Sequence, residues 1–134
     1  MFYPYSGEKE MSHFRKCTVQ LNAENVDMGL LMLAVKEIAG QLGLKTTDTV
    51  KDYYGRTRKV LIAVEGLYGV HYSKDEGLQI IGDEFGKKIK LDDFHEMLVR
   101  TYTSLAVQRV LADMGYSVTT ERKGESVLIY GVRI

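Results

Sequence analysis

Cysteine is nearly absent from this sequence, in which Cys17 is the only one. A lone cysteine cannot form a disulfide bond within the chain, and it cannot supply a cysteine-based zinc motif. The residues around Cys17 are typical of a β-strand. This context favours a buried structural thiol over a reactive nucleophile.

Excess charge is absent as well, because 18 Lys and Arg residues balance 18 Asp and Glu residues. This balance removes the strongest argument for bulk binding to nucleic acid or to an anionic membrane, and it leaves only a local basic patch as a basis for such binding. It also leaves little charge repulsion to oppose self-association.

Long hydrophobic runs and a signal-peptide pattern are not found either. No apolar stretch is long enough to span a bilayer, and the N-terminus has no basic region followed by an apolar run. These absences predict a cytoplasmic protein that does not enter a membrane.

The length and composition are typical of one globular domain, since the chain has 134 residues, of which 45% are hydrophobic and 27% are charged. Residues 1–10 contain turn-forming residues without periodicity. We therefore predict an N-terminal extension over residues 1–10 and a single α+β domain over residues 11–134.

Two helices are predicted from apolar residues that recur at steps of three and four. The first helix begins after Asn25 as its N-cap and ends at Gly43, and the second begins at Asp92 and ends at Gly115. The apolar stripe of the first helix consists of Met28, Leu31, Val35, Ile38 and Leu42.

The remaining segments predict strands and hairpins. Strands are expected over residues 12–21, 44–51, 59–65, 68–72, 78–81, 116–121 and 126–133. In both halves a helix, a glycine, a strand, a turn and a strand follow one another, which suggests an α-β-β pseudo-repeat. The expected fold is a two-layer α+β sandwich, with two helices on one face of an antiparallel sheet of about six to seven strands.

Apolar residues occur on more than one side of both helices. A helix that covers a sheet needs one apolar stripe, so the additional apolar residues require another cover. The other helix of the same chain and a second protein chain are equally good candidates for that cover. On the second helix the candidate interface consists of Val99, Val107, Val110 and Met114.

Several short motifs resemble a family of unknown function. The segment Met11-Ser12-His13-Phe14 precedes a strand, Leu42-Gly43 ends a helix, and Gly115-Tyr116 leads into a hairpin. Between them, in the order of the family, lie Asp83, Asp92, Phe94, Leu98 and Tyr102. This arrangement resembles the hypothetical chloroplast reading frame thirty-five family, also known as domain of unknown function 1257.

The resemblance covers most of residues 11–134 and has clear departures. The family's arginine directly before Tyr102 and its second tyrosine are replaced by Thr101 and Ser104, and its terminal tryptophan is missing. The resemblance implies occurrence in cyanobacteria, plastids and some other prokaryotes. It implies no activity, because the family has none established.

Residues that could perform catalysis are few. The three histidines, His13, His71 and His95, lie on different predicted elements, so no metal site is predicted, and no glycine pattern indicates a phosphate-binding loop. We expect no cofactor. Glu84 is expected in a solvated turn, and Asp92 is better explained as a helix cap than as a catalytic acid. The candidate ligand site therefore consists of His13, Asp83 and Tyr102.

Two basic loops, residues 53–59 and 86–90, form the candidate nucleic-acid interface, because sites for single strands combine cations with exposed aromatic rings. Its residues are Tyr53, Tyr54, Arg56, Arg58, Lys59, Lys87, Lys88 and Lys90.

Three functions follow from the sequence. A non-enzymatic protein-interaction module, dimeric or part of a larger complex, is favoured because no catalytic set converges. The alternatives are a nucleic-acid-binding protein that uses the basic loops, and a small-molecule-binding protein or enzyme with a site near His13 and Asp83.

Overall fold

The α+β class predicted from the sequence is confirmed by the computed structural model, which describes residues 14–19, 21, 25–123 and 126–133. The predicted extension over residues 1–10 and the candidate residue His13 lie outside the described residues. Seven strands and two helices follow in the order β1 (Phe14–Thr18), α1 (Met28–Leu42), β2 (Thr46–Lys51), β3 (Thr57–Val64), β4 (Gly69–Ser73), β5 (Gly77–Asp83), α2 (Leu91–Asp113), β6 (Tyr116–Lys123) and β7 (Ser126–Arg133).

The seven strands are divided between two sheets, whereas the sequence predicted one. Five strands form an antiparallel sheet in the order β1-β5-β4-β3-β2, and β6 and β7 form a separate two-stranded sheet, called the ribbon below. The length of α2 explains the division. Its 23 residues span about 35 Å, whereas the seven residues of β5 span roughly 23 Å. The helix therefore carries β6 past the end of the main sheet.

Two predicted helix caps are wrong. The N-cap of α1 is Asp27 rather than Asn25, and its Oδ1 accepts a hydrogen bond of 3.0 Å from the backbone N–H of Leu30. The N-cap position of α2 is Lys90, which makes no capping side-chain hydrogen bond. Glu84 performs that role from the preceding loop, because its Oε2 accepts a hydrogen bond of 2.7 Å from the N–H of Leu91.

Both helices end where the sequence predicts. Gly43 and Gly115 have φ angles of 70° and 89°, in the left-handed region that glycine adopts without strain. A strand begins at Thr46, three residues after Gly43, and at Tyr116, directly after Gly115. The predicted succession of helix, glycine and hairpin therefore occurs twice. The second hairpin is the ribbon and not part of the main sheet.

The main core lies between the helices and one face of the five-stranded sheet. Leu31, Val35 and Ile38 supply the buried side of α1, while Phe94 and Leu98 supply that of α2. Buried side chains of the strands complete it, together with Tyr68 from the turn before β4: Ile62, Val64, Val70, Leu78 and Ile80.

A second, smaller core lies apart from the first. The register of β2 and β3 shifts between Thr47 and Thr49, and such irregularities bend a hairpin. Although β2 is not a neighbour of β5 in the sheet, Val50 of β2 packs with Ile81 of β5. The tip of the β2–β3 hairpin is thereby placed beside the end of β5.

Candidate functional site

Asp83 holds two loops together at the end of β5. Its Oδ2 accepts a hydrogen bond of 2.8 Å from the N–H of Tyr53, and its Oδ1 accepts one of 2.9 Å from the N–H of Phe85. The Nζ of Lys87 donates to the Asp83 carbonyl oxygen. The residue is only 2% exposed. These contacts indicate a positioning role for Asp83.

Tyr102 lies at a different place, where the two helices meet. Its hydroxyl oxygen accepts a hydrogen bond of 3.0 Å from the N–H of Asp27, the N-cap of α1. Arg109 of α2 forms an ion pair of 2.7 Å with the same Asp27. Asp83 is followed by Glu84, which bonds the first residue of α2, Leu91. Tyr102 lies eleven positions further along α2, a distance of about 16 Å along the helix axis. The structure therefore does not join Tyr102 and Asp83 in one site.

Glu84 is buried rather than solvated, which corrects the expectation from the sequence. Besides capping α2, its Oε1 accepts a hydrogen bond of 3.0 Å from Arg15 of β1. Desolvation alone would raise the pKa of Glu84, but the hydrogen bonds from Leu91 and Arg15 outweigh it and lower the pKa below its ordinary value of 4.5. The charged form of Glu84 is thus stabilised by folding.

We expect Glu84→Gln to lower the free energy of unfolding by about 1 kcal/mol at neutral pH, because the charge facing Arg15 is lost. A carboxylate with a lowered pKa in the folded state stabilises the protein above its unfolded pKa, and this stabilisation is lost as the pH falls through the folded pKa. The difference between the two proteins should therefore shrink at an acidic pH well below 4.5, the ordinary value from which the pKa of Glu84 is lowered. Urea unfolding at both pH values measures it.

Glu76→Gln is the matched control for this experiment. Glu76 forms an exposed ion pair with Lys16, and exposed pairs contribute little to stability. We expect a change of less than about 0.5 kcal/mol at either pH. If the effect of Glu84→Gln were the same at both pH values, the charge of Glu84 would not be its cause.

The remaining residues with chemical potential are dispersed. Burial raises the pKa of the half-buried Cys17 thiol, which supports the structural role expected for it. His71 lies on β4 and His95 on α2. The part of the chain that the structure describes contains no group of three His, Cys, Asp or Glu residues that could hold a metal ion.

The two basic loops predicted from the sequence lie side by side. Asp83 contacts both, because its Oδ2 accepts a hydrogen bond from the N–H of Tyr53 and its carbonyl oxygen accepts one from the Nζ of Lys87. The ring of Tyr53 makes edge-to-face contacts with Tyr54 and Phe85, at centroid distances of 5.2 and 4.9 Å. Arg56 lies 5.5 Å from the ring centroid of Tyr54. Three exposed aromatic rings thus form one cluster beside arginine.

Two members of this region were not predicted from the sequence. Phe85 joins the aromatic cluster, and Phe14 of β1 lies 4.8 Å below the guanidinium of Arg58. An aromatic residue directly before the basic loop 86–90 was a usable signal for Phe85. Phe14 carried no such signal, because β1 and β3 are not neighbours in the sheet.

Lys87 differs from the other predicted nucleic-acid contacts. Its Nζ lies 5.4 Å from the ring centroid of Tyr68 and also contacts Asp83, and burial lowers its pKa. This lysine therefore faces the protein interior. The other seven are exposed: Tyr53, Tyr54, Arg56, Arg58, Lys59, Lys88 and Lys90.

The C-terminal half of α2 has a poorly covered apolar surface. The buried residues of this helix end at Leu98. Val107, Val110 and Met114, called the α2 stripe, are between 40% and 59% exposed, whereas Val99 is half-buried. Beside the stripe lies an apolar groove of about 300 Å³, lined by Tyr102, Thr103, Ala106, Val107, Val110 and Leu111.

The ribbon has a second apolar surface, which was not predicted from the sequence either. Gly131 faces α2, since a Cβ on it would lie 3.4 Å from the Leu111 side chain. Neighbouring residues of a strand face the opposite side, so Leu128, Tyr130 and Val132 form an outer ribbon face that is between 37% and 64% exposed. The apolar residues on both sides of β7 were the available signal.

Comparisons with known proteins give no relative for this chain. No family model matches it, and neither a curated protein nor a solved structure matches it. Within the described ranges, no helix is both long and apolar enough to cross a membrane.

Proposed function

We propose that this protein is a non-enzymatic protein-interaction module that forms a homodimer through the α2 stripe and the outer ribbon face. The observation that supports this proposal is the exposure of six large apolar side chains, three at the end of α2 and three on β7. Clusters of exposed apolar side chains of this kind mark interaction sites, because apolar surface costs free energy to hydrate. We also propose membership of the reading frame thirty-five family, which rests on the sequence motifs.

A second copy of the chain suits these two surfaces. In the proposed dimer, the outer ribbon face of each copy covers the α2 stripe of the other, and a side chain such as Tyr130 enters the apolar groove beside Ala106. A two-fold axis makes this contact twice with the same residues. Stable interfaces bury roughly 800 Å² per partner, and the two-fold arrangement uses both exposed surfaces of each copy.

The charge balance and the ribbon support self-association. With 18 residues of each sign, two copies meet with little overall repulsion. An isolated two-stranded hairpin is only marginally stable in water, and cover on its outer face would stabilise the ribbon. Asp83 supports a positioning role rather than an enzyme, because both of its carboxylate oxygens accept backbone hydrogen bonds.

The test replaces two valines of the α2 stripe. We expect the wild-type protein to sediment with twice the mass of one chain, and Val107→Glu/Val110→Glu to raise the dissociation constant of the dimer at least tenfold, because two charges lose water in the contact. Analytical ultracentrifugation over a range of protein concentrations measures this. Both valines are exposed, so the circular dichroism spectrum should be unchanged.

Leu33→Glu is the control, since Leu33 is an exposed apolar residue on α1, outside the proposed contact. Its dimer should be as stable as that of the wild type. Tyr130→Glu tests the reciprocal arrangement and should weaken the dimer as Val107→Glu/Val110→Glu does. A wild-type protein that stays monomeric at the highest concentration would refute the proposal.

A further inference from the structure

We infer that the loops at the tip of the β2–β3 hairpin and after β5 form a binding site for single-stranded nucleic acid. The site, called the aromatic–basic surface, consists of Tyr53, Tyr54 and Phe85 with Arg56 and Arg58. It is a second binding function, independent of the proposed dimer. No element of the α2 stripe or of the ribbon contributes to it.

The aromatic rings supply a stacking platform. Tyr53 lies between Tyr54 and Phe85, with interplanar angles of 89° and 85°. All three side chains are exposed although they are large and apolar. Their positions are held by the backbone hydrogen bonds of Tyr53 and Phe85 to the buried Asp83. A fixed, exposed cluster of this kind offers ring faces on which unpaired bases stack.

The arginines supply the positive charge next to that platform. Phe14, Asp52, Arg56, Thr57 and Arg58 line a cleft of about 360 Å³. Within the described residues, Arg58 has no carboxylate partner in an ion pair and lies over the Phe14 ring instead. A guanidinium that rests on an aromatic ring keeps its donors available for phosphate oxygens.

The acidic residues of these loops are turned inward, which the sequence could not show. The side chain of Asp52 is 12% exposed, whereas that of its partner Arg56 is 74% exposed. Desolvation alone would raise the pKa of Asp52, but the hydrogen bonds from Arg56 lower it, so this carboxylate stays charged beneath the arginine. Asp83 and Glu84 are buried. The basic side chains are therefore exposed while their acidic neighbours are covered.

Single strands fit this surface better than a duplex does. The bases of a duplex are stacked on each other, so their faces are not accessible to protein rings. The surface consists of residues from the tip of the β2–β3 hairpin, the start of β3 and the loop after β5, and none of its five residues belongs to a helix. Exposed rings beside arginine match the combination of stacking and backbone neutralisation that single-strand sites use.

The experiment measures binding of the full chain to fluorescein-labelled oligo(dT) and oligo(rU) of about 12 nucleotides. Fluorescence anisotropy is recorded at about 50 and 200 mM salt. We expect Arg56→Gln/Arg58→Gln to weaken binding at least tenfold at low salt. The slope of log K against log salt should become about 1.4 smaller in magnitude, since each lost phosphate contact contributes about 0.7.

Tyr53→Leu/Tyr54→Leu separates stacking from charge. These substitutions keep apolar side chains and remove the rings, so we expect at least tenfold weaker binding with an unchanged salt slope. Lys36→Gln/Lys74→Gln removes two exposed cations on α1 and the β4–β5 turn, and should bind within twofold of the wild type. Thermal melting of every variant verifies the fold.

Three results would overturn the inference. The first is the absence of binding at low salt with about 100 µM protein. The second is a control variant, Lys36→Gln/Lys74→Gln, that weakens binding as much as Arg56→Gln/Arg58→Gln does. That result would show that the oligonucleotide is attracted to the positive charges of the whole protein surface. The third is a duplex of the same sequence that competes as well as the single strand does, which would exclude the stacking platform.

Discussion

We expect Asp83→Ala to lower the free energy of unfolding by about 3 kcal/mol, because hydrogen bonds to charged groups contribute about 1.5 kcal/mol or more each. Two such bonds are lost, from the N–H groups of Tyr53 and Phe85. The loss of stability is larger than it would be at the surface, because water hydrates the two N–H groups poorly in this part-buried region once their acceptor is removed. The tip of the β2–β3 hairpin would also lose its connection to the end of β5.

Urea unfolding followed by circular dichroism measures this effect. Asp75→Ala is the matched control, because Asp75 is exposed in the β4–β5 turn and a change there should stay within about 0.5 kcal/mol. The loss of free energy of unfolding for Asp83→Asn should fall between those for Asp75→Ala and Asp83→Ala, since the amide of asparagine keeps one accepting oxygen. A loss below about 1 kcal/mol for Asp83→Ala would show that the loops are held by other contacts.

Gly82→Ala is expected to lower the free energy of unfolding by about 2 kcal/mol, as overpacking of a filled core does. A Cβ on Gly82 would lie 2.4 Å from the Tyr68 ring and 3.0 Å from the Leu67 carbonyl oxygen. The ring cannot move aside easily. Tyr68 is fully buried, its hydroxyl donates a hydrogen bond of 2.8 Å to the Ile89 carbonyl, and it packs against Phe94.

Gly40→Ala is the matched control for a methyl group added to glycine. A Cβ on Gly40, within α1, would have no heavy atom within 4 Å outside its own helical surroundings. Alanine is the better helix former, so we expect a gain of about 0.5 to 1 kcal/mol. Thermal and urea unfolding should therefore show changes in the free energy of unfolding that have opposite signs in the two variants. A Gly82→Ala protein as stable as the wild type would contradict the close contact with Tyr68.

Helices and strands were predictable because their signals are local. Apolar residues three and four apart produced α1 and α2, and Gly43 and Gly115 marked their ends. The caps were less predictable. Asn25 and Asp27 are both good capping residues, and only the backbone path selects between them. Glu84 caps α2 from seven residues before Leu91, so the usual spacing of a capping residue does not reveal it.

For the candidate sites, too, the sequence revealed the residue types but not which residues lie close together. Exposed aromatic and basic residues in loops 53–59 and 86–90 were identifiable, because such residue types rarely fill a core together. Their proximity to each other depends on Asp83 and on the bent β2–β3 hairpin. Asp83 and Tyr102 belong to one candidate ligand site in the prediction from the sequence, but they contact different elements because α2 separates them along its axis.

The sequence by itself determined the α+β class, the order of two helices and seven strands, and the residue types of the two exposed surfaces. Those properties follow from local periodicity, turn chemistry and composition. Only the tertiary structure decided that the strands form two sheets, that Asp52, Asp83 and Glu84 turn inward beside exposed basic side chains, and that the α2 stripe is left exposed. Contacts between residues far apart in the chain decide these features, and no local pattern encodes such contacts.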